Sequence, residues 1–168
     1  MLDTVKTKEV LTYLCEELGG DWFLTGGTLV RLQFDASRGT DDIDFVQISH
    51  PALNPTQCKN QLYQWLIQNG LGPEWVNDAV EPFLRSVPDW QSETREMQSG
   101  SKGRIFRPTL TLFIYLKLKR GTEIDLEDIR SAIPHCPEGL DEKKFRKWAD
   151  KNTIQKFEKL KTSGAFNT

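Results

Sequence analysis

Histidine and cysteine are scarce in this chain, which holds 2 and 3 of them in 168 residues. Cys15, Cys58 and Cys136 form no C-x-x-C pair, and His50 and His135 do not complete a tetrahedral zinc set. His135 and Cys136 sit between two prolines, as in a loop. The odd cysteine count fits a reducing compartment rather than a disulfide-stapled secreted domain. Long apolar runs are also missing. No stretch approaches the roughly 18 consecutive apolar residues of a membrane span. The opening residues MLDTVKTKEV carry no apolar centre of a signal peptide. These absences lead to the expectation of a cytoplasmic protein with no membrane partner. No internal repeat and no clear domain boundary interrupt the chain, so residues 1–168 are expected to form a single domain whose portion at about 108–162 is helical.

What is present is an ordinary globular composition, 38% hydrophobic and 27% charged, with 9 Phe and 5 Trp to fill a core. The net charge of −2 hides an asymmetry. Residues 1–100 hold 7 Lys+Arg against 15 Asp+Glu, a balance of −8, and residues 101–168 hold 15 against 9, a balance of +6. Either the two halves meet each other or share a charged ligand, or both simply present solvated faces.

Periodicity predicts an α+β protein, a small mixed sheet with flanking helices and a helical C-terminal part. Val5, Val10, Leu11, Leu14 and Leu18 predict a helix over 3–18 that stops at Gly19 and Gly20. Trp22, Phe23 and Leu24 suit a short buried strand, TLVRLQF one or two helical turns, and DIDFVQI a second strand. Asn54–Pro55 opens a helix that Asn69–Gly70 closes. Between 71 and 107 the pattern weakens. MQSGSKG reads as a flexible loop and RIFRP as a strand. PTLTLFIYLKLKRG alternates like a strand, yet Pro108 at its start and cations before Gly121 at its end favour a helix. Helices over 124–133, about 141–150 and 153–161 follow, and TSGAFNT reads as a frayed tail.

One stretch carries chemistry: GGTLVRLQFDASRGTDDIDFV, residues 26–46. A strand ends at Thr25, and Gly26 and Gly27 let backbone N–H groups approach an anion. The helix that starts there favours phosphate at its N-terminus. Asp42 and Asp44, two apart on a strand, point to one side and repel unless a cation lies between them. Mg²⁺ takes one or two carboxylates plus substrate phosphates. A lone Gly-Gly is ordinarily a turn, and a lone Asp-x-Asp a solvated strand end or a cap. The two together, with a strand before and after, are more specific than either. Arg38 and Thr40 lie just ahead of the pair, and Arg38 can hold a carboxylate or a phosphate bidentately or serve as a local partner of Asp41.

FLTGG…SRGTDDIDFV resembles the signature of the nucleotidyltransferase superfamily, the DNA polymerase beta-like fold. The Arg-x-Thr-x-Asp-Ile-Asp form looks most like the AbiEii/AbiGii-type toxins and related bacterial nucleotidyltransferases of unassigned function. YLKLKRGTEIDLEDI is similar to that group's second signature, and EWVND resembles a segment of some relatives. The resemblance covers roughly residues 20–133.

It implies that Gly26, Gly27 and Thr28 face a nucleoside triphosphate, with Arg38 and Thr40 beside them, and that Asp42 and Asp44 hold Mg²⁺ (or Mn²⁺). Lys117 would approach a phosphate, Arg120 would add a cation, and Asp125 or Asp128 would complete the outer site. A third carboxylate on a neighbouring strand falls to Asp78 or Glu93, with Asp78 preferred because it follows the apolar Trp75–Val76. The 14 residues between Gly27 and Asp42 are slightly more than the family pattern leads one to expect. The implied activity is transfer of a nucleoside monophosphate from an NTP, with pyrophosphate leaving, to RNA such as a tRNA end, to a protein or to a small molecule. The implied setting is a toxin–antitoxin pair.

Each residue also has a plainer role. Thr122 and Asp125 suit a helix N-terminus, Asp128 suits the helix that follows, Lys117 can snorkel from an apolar helix, and the 6 Lys+Arg of residues 101–122 can be a solvated face. An inactive nucleotide-binding or partner-docking module is the alternative function.

Overall fold

The computed structural model describes residues 2–167. Among them, eight α-helices flank a five-stranded mixed sheet ordered β3-β2-β1-β5-β4. The central strand β1 (Gly20–Thr25) is the apolar GDWFLT. It pairs antiparallel with β2 (Ile43–Ser49) and parallel with β5 (Gly103–Pro108). A two-residue strand, β3 (Val76–Asn77), adds in parallel to β2 with Asp44 opposite Asn77. β4 (Thr94–Ser99) pairs antiparallel with β5. β4 is the polar TREMQS on a sheet edge, so it shows no apolar alternation. For that reason MQSGSKG is not a flexible loop. Its first three residues finish β4, and a tight turn follows. Gly100 N–H donates to Gly103 O, Lys102 N–H to Cys15 O, and Ser101 to Glu16.

α1 (Thr4–Tyr13) starts on an Asp3 cap and runs into a π-helical turn over Leu14–Leu18, which completes the helix expected over 3–18. α2 (Gly26–Gln33) follows β1 directly. α3 (Pro55–Gln68) opens with a reciprocal Asn54/Gln57 capping box and Pro at its start. α4 (Glu81–Arg85) is a single short turn. The ambiguous run is helical: α5 (Leu110–Arg120) is capped by Thr109, while Pro108 ends β5 rather than opening the helix. Its length and its two caps decide against the alternation.

Gly121, at φ 69°, closes α5 and turns the chain back into α6 (Glu123–Ala132). That reversal sets the last turn of α5 beside the first turn of α6. α7 (Glu142–Trp148) and α8 (Lys151–Thr162) complete the C-terminal part, with Asp150 the cap of α8. The tail is partly held, since Phe166 lies 5.7 Å from the Phe157 ring; Thr168 lies outside the described residues.

One hydrophobic core joins the sheet to the helices, with Phe23, Leu24, Leu29, Ile43, Phe113 and Tyr115 among its fully buried side chains. Each such side chain contributes roughly 1.5–3 kcal/mol of burial. No helix is long and apolar enough to cross a membrane, among the described residues.

Candidate functional site

β1 delivers the chain to Gly26, whose φ of 71° is left-handed. A Cβ there would stand 1.7 Å from Asp44 Oδ2. Only glycine meets both conditions, the backbone angle and the close approach of the carboxylate. Gly27 is tight in a different way: its Cβ would lie 3.0 Å from Thr40 Oγ1 and 3.3 Å from Arg38 Nη2. α2 starts at these glycines, and the first N–H groups of a helix have no partner inside it. Gly26 lines the same cleft as Asp44.

Asp42 immediately precedes β2 and Asp44 is its second residue, opposite Thr25 of β1. Two threonines fix the backbone here. Thr28 Oγ1 donates to Asp42 O at 2.7 Å, and Thr40 Oγ1 donates to the same oxygen at 3.1 Å. Asn77 Nδ2 donates to Asp42 Oδ2 at 2.5 Å. Burial and the neighbouring Asp42 charge raise the Asp44 pKa, against the opposite pull of Asn77, Lys117 and Arg120. Asp42 and Asp44 are thus neighbouring carboxylates of like charge, with Asp44 partly buried.

Beside the pair lies a buried ion network built by the α5–α6 reversal. Lys117 Nζ donates to Asp128 Oδ2 at 2.6 Å and to Asp125 Oδ1 at 3.4 Å. Arg38 Nε reaches Asp128 Oδ1 at 2.8 Å, across 90 residues of sequence. Arg120 grips Asp125 bidentately at 2.6 and 2.7 Å. Thr122 and Asp125 form a reciprocal capping box. Burial works to raise the Asp125 carboxyl, but the hydrogen bonds from Arg120 and Thr122 outweigh it and hold it well below the usual range. With Asp42 and Asp44 included, three cations stand against four carboxylates, an excess of one negative charge.

The structure thus brings together Gly26, Gly27, Thr28, Arg38, Thr40, Asp42, Asp44, Lys117, Arg120, Asp125 and Asp128. Several do different work from what the sequence suggested. Thr28 and Thr40 brace Asp42, the partner of Arg38 is Asp128, and Lys117 and Arg120 are held by carboxylates. Asp125 takes part in the capping box of α6 and also lines the cleft.

The third carboxylate is corrected. Asp78 does not join Asp42: it pairs with Lys59 at 2.9 Å, and both side chains are about half exposed. Glu93 is buried elsewhere, accepting from Thr109 Oγ1 at 3.0 Å and from Lys144. The residue that reaches Asp42 is Asn77, which sequence reasoning passed over. Asn77 aligns with Asp44 on the neighbouring strand, a pairing that the sequence does not display. The basic run is also largely paired within the protein: Arg104 with Asp21, Arg107 with Glu138, and Lys119 with Asp150.

The cleft has a volume of about 160 Å³. Its lining combines polar groups, Gly26, Asp44, Lys117 and Arg120, with the apolar Val80, Phe83 and Leu116. Among the described residues no cluster of three or more His, Cys, Asp or Glu side chains suits a metal ion. The donor set available is the Asp42/Asp44 pair. It fits Mg²⁺, for which one or two carboxylates plus substrate phosphate oxygens suffice. No family model, no curated protein and no solved structure matches the chain.

Proposed function

We propose that the protein is a Mg²⁺-dependent nucleotidyltransferase that moves a nucleoside monophosphate from an NTP to an acceptor of the RNA, protein or small-molecule class. One observation carries this reading: Asp44, with the charge of Asp42 close by, lies against Gly26 at the start of α2. Carboxylates for a cation and N–H groups for phosphate then meet at one point. Bound Mg²⁺ would supply neutralisation of the phosphates and of the charge that builds on the leaving group. Thr28 and Thr40 hold the backbone of Asp42, and Asn77 orients its carboxylate. Lys117 and Arg120, steadied by Asp128 and Asp125, supply positive charge at the cleft wall. Such a reaction gains mostly from positioning and electrostatic stabilisation. A cytoplasmic setting and pairing with an antitoxin belong to the same proposal.

A second reading, nucleotide binding without turnover, is favoured by the side chain at position 77. An amide there cannot take the attacking hydroxyl's proton as a carboxylate would, and Asp78 is engaged with Lys59.

Incubation with Mg²⁺, each labelled NTP and bulk tRNA separates the two readings. Label transfer that Asp42→Asn and Asp44→Asn each reduce at least 100-fold is the result expected for the enzyme. Tight, Mg²⁺-dependent NTP binding with no transfer to any acceptor moves the assignment to the second reading.

A further inference from the structure

We propose that Phe83 is the platform on which the base of a bound nucleotide stacks. The inference rests on the reading of the cleft as a nucleotide site and adds to it where the base lies. Of the large hydrophobic side chains that stand exposed (Val5, Ile67, Phe83 and Ile124), Phe83 is the one that lines this cleft. Phe83 is 46% exposed, although Leu84 and Val87 beside it are each only 1% exposed. Those buried neighbours anchor the segment. Ser86 Oγ, hydrogen-bonded to Tyr115 OH at 2.8 Å, ties its end to α5. The ring is therefore held in place from below while its own surface is left to solvent. No other aromatic ring stacks on it among the described residues.

The cleft's lining offers both kinds of surface that a nucleotide needs. Gly26, Asp44, Lys117 and Arg120 suit the phosphates and their cation, and Val80, Leu116 and Phe83 offer an apolar, partly aromatic surface. An exposed ring costs hydrophobic free energy unless something covers it. A base presents a flat π-face that does so. Phenylalanine has no donor or acceptor with which to read a base edge. Phe83 thus contributes affinity for any base and selects none, because stacking tolerates every base.

The test compares equilibrium binding of Mg²⁺-ATP, -GTP, -CTP and -UTP with that of Mg²⁺-tripolyphosphate, which has no base. Wild type, Phe83→Ala, Phe83→Leu and Phe83→Trp are measured in the full chain. Phe83→Ala and Phe83→Leu are expected to weaken all four NTPs, roughly tenfold to a hundredfold for the alanine variant. Both leave tripolyphosphate affinity unchanged. Phe83→Trp keeps NTP affinity, and its added fluorescence is quenched by NTP but not by tripolyphosphate. Unchanged NTP affinity in Phe83→Ala overturns the platform. So does equal weakening of NTP and tripolyphosphate, which points to general damage to the cleft. If wild type binds tripolyphosphate but no NTP more tightly, the platform fails while an anion site remains. If it binds neither, the nucleotide reading itself fails and the platform falls with it.

Discussion

Two adjacent glycines serve different ends. Gly26 carries the left-handed backbone and the contact with Asp44, whereas Gly27 has an ordinary helical backbone and presses only on Thr40 and Arg38. Gly26→Ala is therefore expected to abolish Mg²⁺-dependent nucleotide binding and to cost about 1–3 kcal/mol of stability from backbone strain. Gly27→Ala is expected to lower affinity less than tenfold, since Thr40 needs to give by only a few tenths of an ångström. Titration of Mg²⁺-NTP with thermal denaturation of both variants checks the contrast. Equal behaviour of the two would show that the Asp44 contact does not govern the site. From sequence, the glycines could be seen together but not told apart, because φ angles and cross-chain approach are tertiary facts. The same limit applies to Asn77. Its strand is two residues long and leaves almost no periodic trace.

Among elements, the α5–α6 reversal matters most to the site. Lys117 is nearly buried and shared by Asp125 and Asp128. Lys117→Met leaves Asp128 to Arg38 and Asp125 to Arg120. A destabilisation near the low end for a broken buried pair is expected, about 3 kcal/mol. For a chain of this size that lowers Tm by on the order of 10 °C. Calorimetry checks it, and a Tm unchanged within a degree would show the network to be energetically idle. The elements were legible wherever they were long and periodic: α1, α3 and the paired strands β1 and β2 follow from apolar spacing and end signals, and α5 from its end signals against an alternating pattern. β3, α4 and β4 were not, because short or edge elements are decided by neighbours the sequence does not display. The ion network had half a signature, the capping box of Thr122 and Asp125. Its other half, the reach of Arg38 to Asp128, depends on the fold.

At the scale of the molecule, the −8 and +6 halves do meet: Asp21 and Glu96 pair with Arg104, and Glu93 with Lys144. The sequence left this open beside a shared ligand, and part of the answer is internal pairing. Such a molecule depends on its carboxylates staying charged. Asp125 is held low as described, and at Glu138 burial is likewise outweighed by hydrogen bonds, chiefly from Arg107. Both groups bind a proton more weakly folded than unfolded. Their stabilisation is complete above the ordinary carboxylate range and is lost as pH falls below about 4.3 for Glu138 and about 3.9 for Asp125. Denaturant midpoints are therefore expected to be flat from pH 7 to 5 as far as these two groups are concerned, and to fall below pH ~4. Asp125→Asn should flatten the acid limb; an unaltered slope in that variant would remove Asp125 from the account.

The first described residue is bound to this machinery too. Leu2 is buried, its N–H donates to Thr40 O at 2.7 Å, and its carbonyl accepts from Arg31 Nη1 at 2.7 Å. Thr40 in turn braces Asp42. A change at Leu2 thus reaches the loop that aims the Asp42 carboxylate through a backbone hydrogen bond, although Leu2 is not among the residues that line the cleft.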